Sequence, residues 1–334
     1  MYIVDSYGLA VIFCIITMLG WGSWANTLKM SSKAWEFPLY YWDYSIGLVL
    51  TTLLFGFTFG SSGEEGRSFI ADLSQADSAS LTSSFIGGVI FNIANLLVVA
   101  ATAIAGLAVA FPIAIGLALV IGVVVNYIAT PVGNPMLLFI GVGLVVVAIL
   151  VDATAYKKLP QKKAGDSTKG ILISIIAGVL MGFFYRFVAA SMTTNFATPD
   201  AGLLTPYSAM FVFTIGLFLS NFIFNTWFMY KPVTGKSVRY SDYFKLGSPK
   251  LHMIGILGGL IWCAAMEFNL MASEKAGFAI SYGLGQGATM VSAAWGVFVW
   301  KEFAGAPRGT NKLLAAMFAL FIVGLSIIVI ARLN

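Results

Sequence analysis

The 334-residue sequence predicts an all-α polytopic membrane protein of ten transmembrane helices, arranged as two inverted repeats of five. Three observations carry that prediction. The chain is 59% hydrophobic with 10% charged residues and a mean hydropathy of +0.90, outside the range of soluble domains. Ten apolar runs long enough to cross a bilayer, at about 20 residues each, lie near 7–28, 38–60, 84–104, 107–129, 135–155, 170–195, 204–230, 251–273, 277–300 and 311–332. Finally, the stretch from Gly87 to Ile128 matches the one from Gly258 to Trp300 without a gap, at an offset of 171 residues. Gly87, Gly88, Gly106 and Gly116 fall on Gly258, Gly259, Gly277 and Gly287, and Val120 falls on Val291. Five spans is an odd number, so a second copy must thread the membrane in the opposite sense. The organisation predicted is a first repeat over 1–155, a basic linker over 156–169 and a second repeat over 170–334.

Charge placement sets the expected orientation. Fifteen of the 19 Lys and Arg residues fall in the segments 29–33, 157–169, 231–250 and 301–312. The alternate segments hold only Arg67, Lys275 and Arg332, with Arg186 inside a span. The positive-inside rule then puts both termini outside a plasma (inner) membrane and the Lys-rich central loop in the cytoplasm. The basic balance is thereby accounted for and points to no nucleic-acid partner. MYIVDSYG has no basic region and no cleavage site follows it, so residues 7–28 are expected to remain as a span. Cys14 and Cys263 fall within spans and read as packing residues. His252 is the sole histidine, at the mouth of the eighth span, so no His-based cluster can form; no metal, phosphate or nucleophile constellation exists, and an enzyme is not expected. GDSTKG lacks phosphate-loop spacing. No cofactor is expected.

Taken in order, the first span carries Trp21 and Trp24 three residues apart on one face, either as interfacial anchors or as surfaces on which a ring-shaped solute stacks. The second opens with Pro38 in its first turn and places Asp43 one turn in, among Tyr40, Tyr41, Trp42 and Tyr44. That carboxylate either reaches solvent or serves in gating or proton relay. Segment 61–83 is expected to connect spans, with SFIADLSQADSASL as a short amphipathic surface helix. The third span brings Asn92 and Asn95 to one face. Across the repeat, Asn92, Asn95 and Leu96 map onto Cys263, Met266 and Glu267, so amides in one half occupy the face that carries a carboxylate in the other. Equivalent faces of a duplicated bundle are expected to share one cavity.

The fourth and ninth spans are expected to be interrupted at matching places. Pro112 removes a helical hydrogen bond in one, and it maps onto Gly283 of SYGLGQG, where Gly283 and Gly285 weaken the other. Gln286 offers a donor and an acceptor beside that break. Arg186 in the sixth span and Glu267 in the eighth are expected at similar depth, where an Arg–carboxylate pair is the least costly arrangement. Asn221 and Asn225 read as interhelical contacts. In the eighth span Trp262 and Asn269 share a stripe with Met266, with Asn269 placed beside a ligand and Trp262 as a stacking surface or packing.

MYIVDSYG, YYWDYSIG, FIADLSQADSASLTSSFIGGV and WGVFVWKEF resemble the ureide permeases of the drug/metabolite transporter superfamily. GGLIW and the WGVFVWKEF–APRGT ending are also similar to the glucose/ribose uptake and rhamnose–proton symporter families of that superfamily. The resemblance covers most of the chain. It implies the drug/metabolite transporter fold and proton-linked uptake of a small polar solute. The plant ureide permeases carry a long central loop with a Walker-like motif, which residues 156–169 lack.

The function expected is therefore a secondary active transporter, a symporter importing a small polar neutral solute by alternating access. The solute is ureide- or nucleobase-like, or a monosaccharide. Trp21, Trp24, Asn92, Asn95, Trp262, Asn269 and Gln286 would contact it, while Glu267, Arg186 and Asp43 would handle the coupling proton, with H⁺ favoured over Na⁺. The partners expected are the solute and the bilayer, with the protein a monomer or dimer. The alternative is a drug or metabolite exporter of the same superfamily, with a more apolar cavity.

Overall fold

The computed structural model describes residues 1–31, 35–159, 167–233 and 235–333. Most of the predicted linker, residues 160–166, lies outside these, with Lys33. All longer elements are helical. α1 (Tyr7–Ser23) starts at Ser6, whose hydroxyl caps the Leu9 amide, and turns at Trp24 into α2 (Ala25–Met30). α3 (Phe37–Phe57) has Pro38 in its first turn, where the missing N–H costs nothing. α4 (Phe69–Gln75) leads into α5 (Ser78–Ala105), capped by the Asp77 carboxylate accepting from the Ser80 amide at 2.6 Å. α6 (Leu107–Ala129), α7 (Pro135–Lys157) and α8 (Ser167–Ser191) follow. α9 (Pro206–Asn221) and α10 (Phe224–Tyr230) divide the seventh apolar run, and α11 (Tyr240–Leu246) precedes α12 (Pro249–Ala276). α13 (Phe278–Gly285), α14 (Ala288–Ala294) and a π-helical turn (Trp295–Val299) share the ninth run, and α15 (Thr310–Ala331) closes the chain.

Among the described residues, nine helices are long and apolar enough to cross a membrane. The ninth run is not one continuous helix. Its interruption falls at Gln286 and Gly287 rather than at Gly283 or Gly285, which close α13. Gly285 instead admits close packing: a Cβ there would crowd the Trp21 ring at 2.7 Å and the Asn269 amide at 3.2 Å. Pro112 does not break the fourth run either, because α6 is continuous through it. One lost hydrogen bond in the second turn is tolerated, and the Ala108 carbonyl it orphans belongs to a residue that lines a cavity.

The packing follows the sequence repeat. α5 and α12 are both 28 residues long, and α12 begins and ends 171 residues after α5. Each ends at a glycine in the same left-handed conformation, Gly106 at φ 81° and Gly277 at φ 84°. α5 packs on α8 and α9, and α12 on α1 and α3; α6 lies along α8, and α13 and α14 along α1; α3 meets α9, and α7 meets α15.

The glycines make these crossings possible. A Cβ on Gly88 would enter the Phe213 carbonyl and one on Gly216 the Phe85 carbonyl; one on Gly259 would enter the Tyr44 carbonyl and one on Gly47 the Ile256 carbonyl. Without hydrophobic drive between helices in lipid, such backbone approach carries the association.

Two ends of the bundle can be told apart by their contacts. At one, Tyr7 hydroxyl donates to the Val329 carbonyl (2.7 Å), Arg332 Nε to the Lys275 carbonyl (2.8 Å) and the Met1 amine to the Glu65 carbonyl (2.6 Å). This end carries both termini. α4 is not the surface helix expected of it. Phe69 and Asp72 are buried, because Asp72 accepts from Arg67 Nε (2.7 Å), the Thr205 amide (2.7 Å) and hydroxyl (2.9 Å), and the Ser208 hydroxyl. The opposite end carries the Lys29–Glu302 ion pair and the Asp43–His252 contact.

Candidate functional site

Glu267 sits in the penultimate turns of α12 and is fully buried, and neither of its carboxyl oxygens has a hydrogen-bond partner. It is not paired with Arg186, which corrects the expected ion pair. The helices explain why. Arg186 is on α8, which packs chiefly against α5 and α6, whereas α12 packs chiefly against α3 and α1. Arg186 is half-buried on its own side of the bundle.

The predicted ligand contacts are buried together but mostly bonded to protein. Trp21 stacks on Trp262 (centroids 6.0 Å apart, planes at 15°), and Phe91 packs on the other side of Trp262 at 4.4 Å. Asn269 accepts from the Tyr185 hydroxyl (2.7 Å) and donates to the Ser281 carbonyl (2.8 Å). Asn95 donates to the Tyr41 hydroxyl (3.2 Å). Asn92 donates to Ser220 Oγ (2.7 Å) and the Leu217 carbonyl (3.3 Å), so it joins α5 to α9. Trp24 packs on Tyr44 (5.0 Å). Gln286 lies half-buried in the break after α13. Unpartnered polar atoms remain in this core besides Glu267: the Trp21 indole nitrogen, the Tyr44 hydroxyl and both amide atoms of Asn221. Asn225, by contrast, donates to the Pro38 carbonyl at 2.9 Å, as an interhelical contact should.

A cavity of about 210 Å³ opens at the Lys-rich end, between α1, α2, α6, α7, α14 and the π-helical turn. It approaches the buried core, since Gly22 follows Trp21 and Thr289 lies three residues beyond Gln286. None of the seven predicted ligand contacts lines it, and Pro112 does. Its charged residues are Lys29, Asp152 and Glu302. Glu302 accepts from Lys29 and from the Tyr156 hydroxyl (3.0 Å). Asp152 is 7% exposed and one of its carboxyl oxygens has no partner. Sequence reasoning passed over Asp152, although an acid inside the fifth apolar run meets the criterion that singled out Glu267.

Asp43 is fully buried at the start of α3, where His252 Nδ1 lies 2.9 Å from its Oδ1 and the Tyr243 hydroxyl donates to the same oxygen. It therefore reaches partners rather than solvent. Burial, and then the bond to Asp43, push the Tyr243 phenol above its ordinary range. Among the described residues no group of three or more His, Cys, Asp and Glu side chains is placed to hold a metal.

Comparison with known proteins places this architecture. The family model described as ureide permease matches residues 40–169 and 156–331. Ureide permease 1 of Arabidopsis thaliana is 25% identical over 384 aligned residues, covering 98% of each chain. Probable ureide permease A3 of Vigna unguiculata is 24% identical, covering 83% of this chain and 91% of its own. A solved structure, described only as the crystal structure of a protein, superposes with a TM-score of 0.61 at 16% identity over 97% of both chains, which speaks to the fold. The named relatives are permeases, transporters rather than enzymes.

Proposed function

Because this chain belongs to the ureide permease family, we propose that it imports a small polar neutral solute of ureide or nucleobase type by proton-coupled alternating access. The names of its relatives favour a ureide over a monosaccharide and uptake over drug export. The working architecture is ten membrane crossings in two inverted five-helix repeats, supported by the matched lengths of α5 and α12, the paired glycines and the exchanged packing partners. In the reading adopted here both termini face outward and the Lys-rich end faces the cytoplasm, as charge placement argues.

One observation carries the coupling role: the buried, unpartnered Glu267. An ionised carboxylate in that position would lack compensation, whereas a protonated carboxyl requires no counter-charge. Closing the core around the acid is thus linked to its taking up a proton, and opening the core to water releases it. The Trp21–Trp262 stack and the Asn95 and Asn269 bonds would separate when the core opens, and their amides and ring faces would then meet the solute's N–H and C=O groups. Asp43, bonded to His252, would serve the proton at the cytoplasmic mouth. Arg186 retains a coupling role only if the halves rotate enough to bring α8 toward α12.

Reconstituted protein tests this. With an imposed inward proton gradient, wild type should accumulate labelled allantoin or uracil in preference to glucose or rhamnose. Glu267→Gln should fall to the level of empty liposomes for accumulation while still exchanging solute across the membrane without a gradient. Gradient-driven accumulation by Glu267→Gln would remove the acid from the coupling step.

A further inference from the structure

We infer that the cavity at the Lys-rich end is itself a solute-binding site, selective for paired N–H donors, with Asp152 as the acceptor that recognises them. The inference rests on the transport reading above and adds to it a location and a polarity.

The donors on the cavity wall are already used. The Trp295 indole donates to Ser23 Oγ (2.8 Å), the Trp300 indole to Asn26 Oδ1 (2.6 Å), the Ser292 hydroxyl to the Gly22 carbonyl (3.0 Å) and the Asn26 amide to the Ser23 carbonyl (2.9 Å). The Tyr156 hydroxyl is committed to Glu302. Lys29 is held between Glu302 and the face of Trp300, 4.5 Å from the ring centroid. With the ammonium and one carboxylate neutralising each other, the second carboxylate, Asp152, is left over. One of its oxygens is buried and unpartnered in a residue 7% exposed. A cavity whose unsatisfied group is an acceptor selects a ligand that brings donors, because a buried polar atom left alone costs more than the bond returns.

The backbone around this wall is unusual in a way that fits a built site. The π-helical turn over Trp295–Val299 is a form that recurs at functional positions. Lys301 is the non-glycine residue at positive φ among those described, at 51°, and it directs the chain so that Glu302 returns to the cavity with its amide on the Gly296 carbonyl at 2.9 Å. Gly296 has no Cβ to displace Tyr156 and Glu302, which a side chain there would meet at 2.8 and 2.9 Å. The apolar remainder, Phe111, Pro112 and the indoles, suits the faces of a flat ring. A volume of about 210 Å³ holds one small heterocycle. A ureido group, neutral and carrying adjacent N–H donors, matches a single carboxylate acceptor bidentately.

Equilibrium binding of labelled allantoin to purified full-length protein tests the assignment without any gradient. Asp152→Asn should weaken binding by about tenfold or more, since it removes a charged acceptor, and Asp152→Glu should recover part of it. A thiol introduced on the wall by Ser292→Cys should react with a polar maleimide, and allantoin should protect it in the Asp152 background but not with Asp152→Asn. Tetraethylammonium, a cation without N–H donors, should not compete. Unchanged affinity in Asp152→Asn, or displacement by tetraethylammonium, overturns the donor-selective site and leaves the transport reading standing. Absence of binding by wild type to allantoin and to uracil overturns both. A loss of affinity without loss of Ser292→Cys protection would place the solute elsewhere and overturn the assignment.

Discussion

α4 and α11 are the same connector at the two ends of the bundle, 171 residues apart, and each pins the first turn of the helix it reaches. They do so with opposite chemistry. At the end carrying the termini, the acid is on the connector: Asp72 accepts from Thr205 and Ser208 at the start of α9, and Arg67 adds bonds to the carbonyls of Pro199, Asp200 and Leu203. At the Lys-rich end, the acid is on the long helix: Asp43 of α3 accepts from Tyr243 of α11, with His252 beside it. Arginine keeps its charge at every accessible pH, whereas histidine is the side chain that titrates near neutrality. One end is latched by a fixed ion pair and the other by a pair that protons can loosen. The lesson is that duplication preserved the position of the latch and left its residues free to diverge.

The largest effect that could break this comparison comes from the ion-paired latch. Arg67→Ala leaves Asp72 buried without its cation and should cost about 3–5 kcal/mol, read as a drop in thermal stability in detergent. His252→Ala should cost less, about 1–3 kcal/mol, because Tyr243 still satisfies Asp43. Equal losses would mean that the two ends are held alike. Next come the helix crossings. Gly88→Ala and Gly259→Ala each drive a Cβ into a backbone carbonyl that cannot swing aside, so each should cost about 1–3 kcal/mol. Damage from one and not the other would end the equivalence of α5 and α12.

The smallest effect concerns the helix caps. Asp77 caps α5 and Ser248 caps α12 at equivalent positions, on the Ser80 and Leu251 amides. The hydrogen bonds of Ser80 hold the Asp77 carboxyl below its ordinary range. A lowered folded-state value contributes stability above the unfolded value, and that stability is lost as pH falls through the folded one. Hydrogen exchange of amides 78–81 should therefore gain protection less well at pH 3 than at pH 6 relative to amides 249–252, after correction for intrinsic rates. A parallel response in both segments would show that the Asp77 cap carries no special acid sensitivity.

The same divergence shows how far the sequence could be read. Asn92 and Cys263 are repeat equivalents, and both reach a carbonyl of the crossing helix, Leu217 at 3.3 Å and Leu48 at 3.4 Å. The alignment of halves made that equivalence legible in advance, but whether Asn92 served a ligand or a helix was settled by Ser220 standing opposite it. The Arg186–Glu267 pair failed for a related reason. Depth along a helix follows from counting residues, whereas the direction a charge faces depends on which neighbours its helix packs against. Asp152 and Glu302 come from distant parts of the chain, and no spacing announces that a π-helical turn and a left-handed Lys301 bring them to one wall.

By itself the sequence determined the membrane class, the places where apolar runs cross, the doubled architecture and the helix starts at Pro38, Asp77 and Ser248. These follow from composition, run length and local capping chemistry, each of which a short window contains. Only the tertiary structure decided that α6 survives Pro112, that Asp72 is buried, that Glu267 stands unpaired and that the open cavity lies at the Lys-rich end. Those outcomes turn on side chains meeting across helices far apart in sequence, and the energy of a buried charge or a tight crossing is set by what stands opposite it.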